Sequence, residues 1–96
     1  MVATMQAPLY RARRFPLQFP LHYRKTGTPS WQDGETINIS RTGILFRAGE
    51  YIPPDSILDI EVHMPTKGIL SCQGSIVRTD ESIIAVQIHR YNILRG

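Results

Sequence analysis

The chain has 96 residues, enough for one small domain, with 42% hydrophobic residues and a formal net charge of +3. No apolar run approaches the roughly 20 residues a membrane-spanning helix needs, so no membrane insertion is expected. Cys72 is the single cysteine, which excludes an internal disulfide and suits a reducing compartment.

Charge is distributed unevenly. Residues 1–32 carry Arg11, Arg13, Arg14, Arg24 and Lys25 and no acid, a net +5, whereas residues 33–96 sum to −2. A positive front end on a mildly acidic body points to a localised anion-binding surface.

Residues 1–9 read as a flexible lead-in, and residues 10–96 as a single domain. Met1 to Leu9 lacks the charged-then-apolar layout of a secretory signal, so cytoplasmic residence is expected. The basic stretch Tyr10-Arg11-Ala12-Arg13-Arg14 follows. Leu17, Phe19, Leu21 and Tyr23 then alternate with polar residues or proline, the period of a strand with one buried face. Pro16 and Pro20 cannot donate to a ladder and mark an edge or an irregular entry.

Loop signals at Thr26 to Ser30 and a tight turn at Asp33-Gly34 come next. Glu35 to Ser40 alternates again, with Ile37 and Ile39 expected inward and Asn38 and Ser40 outward. Arg41-Thr42-Gly43 interrupts the strand, and Ile44-Leu45-Phe46 resumes it. Gly43 marks a point that needs positive φ or a close backbone approach. After Pro53-Pro54-Asp55, the residues Leu58, Ile60, Val62 and Met64 form one apolar face. Pro65 to Gly68 turns the chain. Leu70, Cys72, Gly74 and Ile76 share a face of the next strand, where Cys72 reads as a small buried hydrophobe. Asp80-Glu81-Ser82 is a hairpin-like turn before Ile84, Val86 and Ile88. The tail from Arg90 is short enough to add only a helical turn.

Six strands with closely spaced turns and no amphipathic stretch of helical length predict an all-β fold. A small six-stranded antiparallel β-barrel is favoured, since an open sheet of this size would expose long edges. A flexible basic N-terminal segment precedes it.

The chemistry-bearing residues are few. His22, His63 and His89 are far apart in sequence and none stands at ligand spacing from Cys72, so no metal site is expected. Scattered histidines and surface-phase carboxylates form no triad or dyad, so an enzyme is not expected. Asn38-Ile39-Ser40-Arg41-Thr42-Gly43 stands at a strand-turn-strand junction, downstream of the basic stretch.

The order of these two elements resembles a PilZ domain. In that family an Arg-x-x-x-Arg segment precedes the first strand, and an Asp/Asn-x-Ser-x-x-Gly motif follows. The resemblance runs over about residues 10–90 and includes Phe15 to Arg24, Thr36 to Phe46, and Gly74-Ser75-Ile76-Val77-Arg78. The second arginine of the family motif corresponds to Arg14; four residues earlier stands Tyr10, with Arg11 one residue late and Arg13 an extra base.

The resemblance implies a barrel of the split-barrel type. It also implies a bacterial signalling module that binds cyclic di-GMP and orders its basic N-terminal segment on binding. Arg11, Arg13, Arg14, Asn38, Ser40, Arg41 and Gly43 are the implied ligand-binding residues. Arginine suits the ligand because its planar fork pairs with guanine O6 and N7, stacks on purines and binds phosphate. No cofactor is implied beyond this ligand. A protein partner is expected downstream; DNA or RNA is not, because Trp31 and Phe46 form no stacking row. The alternative is a divergent barrel of this type acting as a protein-interaction adaptor without nucleotide.

Overall fold

The computed structural model describes residues 19–94. The expected lead-in at 1–9, Tyr10, Arg11, Arg13, Arg14 and Leu17 lie outside the described residues.

Six strands follow in chain order: β1 (Pro20–Lys25), β2 (Gln32–Ile39), β3 (Gly43–Ala48), β4 (Ile57–Met64), β5 (Gly68–Asp80) and β6 (Ile83–Leu94). They close into an antiparallel barrel in the order β1-β2-β3-β6-β5-β4. Closure leaves both flanks of β1 paired, with β2 on one side and β4 on the other. The edge problem of a small sheet is thereby removed along most of the ladder.

The inward face follows the period-two pattern. Leu21 and Tyr23 of β1, Leu58, Ile60 and Val62 of β4, and Ile84 and Val86 of β6 are buried in one core. Phe46 on β3 is fully enclosed and packs beside Tyr23, with ring centroids 5.1 Å apart. Side chains so enclosed contribute about 1.5–3 kcal/mol each relative to exposure. Leu70, Cys72, Gly74 and Ile76 share the buried face of β5. Burial pushes the Cys72 thiol up to about 11, as expected for a small apolar side chain in this place. Met64, Ile88 and Phe19 are partly buried against the core.

Three local expectations fail. Ile37 is not inward: it is 39% exposed, and Thr36 is the buried residue of that stretch at 1%. The cause is a bulge. Thr36 pairs with Phe46 but Asn38 pairs with Leu45, which leaves Ile37 as the extra residue. One inserted residue inverts the alternation expected across it. Ile39 returns to partial burial beside the core. The tail is also different: it forms no helical turn, and β6 continues to Leu94, pairing with β5 from Gln73 back to Ile69. Tyr91, Ile93 and Leu94 stay exposed there, so no one-sided burial advertised the strand.

Asp33-Gly34 makes no turn: both lie within β2, paired with His22 and Leu21 of β1, and the chain reverses earlier, in the loop from Thr26 to Ser30. The remaining breaks fall where the turn residues stood. Glu81 takes a positive φ of 56° in the β5–β6 hairpin, and Gly68 a φ of 94° opening β5. The β3–β4 loop is held by Ile52, which is buried, and by the Tyr23 hydroxyl donating to Glu50 at 3.1 Å.

Candidate functional site

The β2–β3 turn is built by Ser40. Its Oγ accepts hydrogen bonds from the backbone N–H of Thr42 (3.3 Å) and of Gly43 (3.2 Å). Its own N–H donates to the Gly43 carbonyl at 2.9 Å. A serine hydroxyl that gathers amides one turn ahead is the side-chain counterpart of a backbone turn. The Thr42 carbonyl in turn accepts from Ile88 N–H at 2.8 Å, tying the turn to β6.

Gly43 answers the second of the two needs read from the sequence. It is not among the residues with positive φ. A Cβ placed on it would lie 2.9 Å from the Val86 carbonyl oxygen of β6. The glycine is required by close approach of β3 to β6. Its N–H is already engaged by Ser40, so it is not a free donor for a ligand.

Asn38, Ser40 and Gly43 line one shallow, open depression of about 220 Å³, together with Ile44, Leu45, Ala85 and Val86. The register explains the grouping. Asn38 pairs with Leu45, and Leu45 pairs with Ala85, so the three residues form a row across β2, β3 and β6. The outward members Leu45 and Ala85 give an apolar floor, half-buried, and Asn38 and Ser40 give an exposed polar rim. Arg41 is exposed in the turn beside that rim. The structure therefore brings together Asn38, Ser40 and Gly43 at one surface. Arg11, Arg13 and Arg14 lie outside the described residues. Leu45 and Ala85 were not singled out from the sequence; strand pairing alone reveals them.

A second polar surface lies on β1, β4 and β5. Arg24 Nε donates to Asp59 at 3.0 Å and its guanidinium sits 4.3 Å from the centre of the Trp31 ring. Asp59 also accepts from Thr26 (2.9 Å) and Gln73 (3.1 Å), and Arg90 donates to Gln73 at 3.3 Å. Burial works to raise the Asp59 carboxyl, but these donors and the charge of Arg24 hold it below its ordinary value. Arg24 was read only as part of the basic front end; here it is stacked on an aromatic face and paired with a carboxylate.

Pairing also overrides sequence distance among the histidines. His22 and His63 lie with ring centroids 5.0 Å apart, beside Glu61. His89 is elsewhere, hydrogen-bonded through Nε2 to Ser75.

The chain is thus a closed six-stranded barrel with a depression of apolar floor and polar rim on its outer wall. The PilZ domain family model matches residues 10–93. The chain belongs to the PilZ family, whose members are generally cyclic di-GMP receptors and are binding modules rather than enzymes. No curated protein and no solved structure matches the chain significantly. Among the described residues no helix is long and apolar enough to cross a membrane.

Proposed function

We propose that this chain binds cyclic di-GMP between the Asn38/Ser40 rim and the arginines that precede β1, and that binding closes and orders residues 7–14 over the ligand. The observation that carries the reading is the meeting of Asn38, Ser40 and Gly43 at one open depression floored by Leu45 and Ala85.

The chemistry follows from that arrangement. A guanine plane needs an apolar surface to displace water and polar groups at its edge. Leu45 and Ala85 supply the first, and the Asn38 amide offers both a donor and an acceptor for the second. The Ser40 hydroxyl donates to the Gly43 carbonyl over a long 3.4 Å, so this hydrogen is easily redirected to a phosphate oxygen. Its acceptor side stays with the turn amides. Arg14, with Arg11 and Arg13, supplies guanidinium groups for guanine O6 and N7 and for the two phosphates. Arg41 adds positive charge on the near side. The excess of base in residues 1–32 favours encounter with a dianion and makes it salt-sensitive.

Calorimetric titration of the full chain with cyclic di-GMP tests this. Saturable binding is expected, weakened about 10- to 100-fold by Arg14→Ala and by Asn38→Ala, the loss of a specific edge contact of about 1–3 kcal/mol. Ligand is also expected to protect the Arg11 to Arg14 stretch from trypsin. An absence of heat at about 100 µM ligand overturns the reading.

A further inference from the structure

We propose that His22, Glu61 and His63 form a binding site for a divalent transition-metal ion, with Zn2+ the best match, on the outer wall where β1 meets β4. One ligand atom from each of the three lies within 4.8 Å of the others. His22 and Glu61 are directly opposite in the β1–β4 ladder, and His63 is two residues beyond Glu61 on the same face. Strand pairing fixes this group without any local spacing in the sequence.

A second, independent observation points to a missing partner. Nε2 of His63 is buried and has no hydrogen-bond partner. A buried ring nitrogen left alone costs about 1–3 kcal/mol, so such groups are normally satisfied. The neighbouring His22 ring stands edge-on to it, at an interplanar angle of 70°, and makes no hydrogen bond to this nitrogen. A metal ion would take up the orphaned lone pair.

The donor set suits the ion. Two imidazoles and a carboxylate are a recurrent three-residue set for zinc, leaving an open position. Tetrahedral zinc with bonds of about 2.0–2.2 Å holds its donors roughly 3.4 Å apart, so the group must contract modestly, through side-chain torsions. Asp33 lies with Oδ1 3.3 Å from His22 Nε2. With Nδ1 of His22 on the ion, Asp33 would take the outer carboxylate position that metal-bound histidines commonly have. Glu61 and Asp33 together carry two formal negative charges, which balance a divalent cation between neutral imidazoles. Arg24, the next outward base on β1, is already committed to Asp59. The bound ion would clip β1 to β4 across the ladder.

The test is titration of the metal-free full chain with Zn2+ against a chromophoric chelator. One ion per chain with Kd at or below about 10 µM is expected. His22→Gln, Glu61→Gln and His63→Gln should each weaken binding at least about tenfold, and Asp33→Asn about 10-fold. His89→Gln should leave it unchanged. All five side chains face outward, and the melting temperature of each metal-free variant checks that it folds. In the unaltered protein, nitrogen NMR should show the His22 and His63 rings shifting on zinc addition while the His89 ring does not. No binding at about 100 µM Zn2+, or binding that His22→Gln and His63→Gln both leave intact, overturns the proposal. So does a thiolate charge-transfer band with Co2+, which would move the ion to Cys72.

Discussion

Replacing Gly43 by alanine separates two reasons for a glycine in the β2–β3 motif. One is room for a ligand; the other is room for β6. The added Cβ would stand 2.9 Å from the Val86 carbonyl oxygen, a backbone atom held in the β3–β6 ladder. Overpacking of this kind costs about 1–3 kcal/mol. Against it stands the gain from restricting the unfolded chain, about 0.4–1 kcal/mol, since no positive φ penalises alanine here. The steric term wins, for a net loss of about 1–2 kcal/mol. In a domain of this length that lowers the melting temperature by roughly 5–15 °C. Thermal denaturation followed by circular dichroism measures it. A melting temperature equal to or above that of the unaltered chain would refute the steric reasoning. If such a stable variant also lost cyclic di-GMP, the glycine would be serving the ligand instead. Gly74→Ala is the harsher companion, because its Cβ would run into the Gln87 carbonyl and lie 2.7 Å from Val86 Cγ1.

The bulge in β2 predicts that Ile37→Ala costs less than about 1 kcal/mol, where an inward isoleucine would cost about 2–5. Thr36→Val should instead stabilise by about 1 kcal/mol, since the buried Thr36 Oγ1 has no partner and a methyl of similar shape needs none; urea denaturation reads both, and a destabilising valine would refute the second. Asp59→Asn should lower stability at pH 7 by about 1–2 kcal/mol, because the carboxylate accepts a charge-assisted hydrogen bond from Arg24. The folded-state pKa of Asp59 lies below its ordinary 3.8, so this contribution is complete above that value and is lost as the pH falls through the folded one. The gap between variant and parent should therefore close in acid, and a gap independent of pH would refute the assignment. Cys72, with its thiol at about 11, should resist a thiol reagent at pH 8 in the folded state and react fully in urea. Rapid labelling of the native protein would show that the β5 face opens readily.

Most of the core was legible because it repeats. Leu21 and Tyr23, Leu58 to Val62, Leu70 to Ile76, and Ile84 to Val86 each alternate cleanly, and each faces inward. Three features were not legible, for separate reasons. The bulge at Ile37 leaves no compositional trace, since Thr36 and Ile37 are both β-branched and suit a strand in either phase. The end of β6 carries Tyr91, Ile93 and Leu94 exposed, so the one-sided pattern that signals a strand is missing. The His22, Glu61 and His63 group arises from register between β1 and β4, which sequence spacing does not encode. Asn38 and Ser40 were correctly placed outward, yet the alternation used to place them fails one residue earlier.

That failure bears on the proposed ligand surface. Without the extra residue, the ladder beyond the Thr36–Phe46 pair would set Ile37 beside Leu45, and the row crossing β2, β3 and β6 would be isoleucine, leucine and alanine. Such a row is an apolar wall with nothing to read the edge of a base. The bulge advances the chain by one position and puts Asn38 beside Leu45 instead. Ile37, the extra residue, stays exposed before it, and the serine turn begins two residues later. Bulges that re-aim a side chain are found beside functional sites for this reason. The barrel supplies the floor through ordinary strand pairing, and one irregularity in β2 supplies the polar rim. The proposed receptor surface thus depends on the same local defect that defeated the period-two reading.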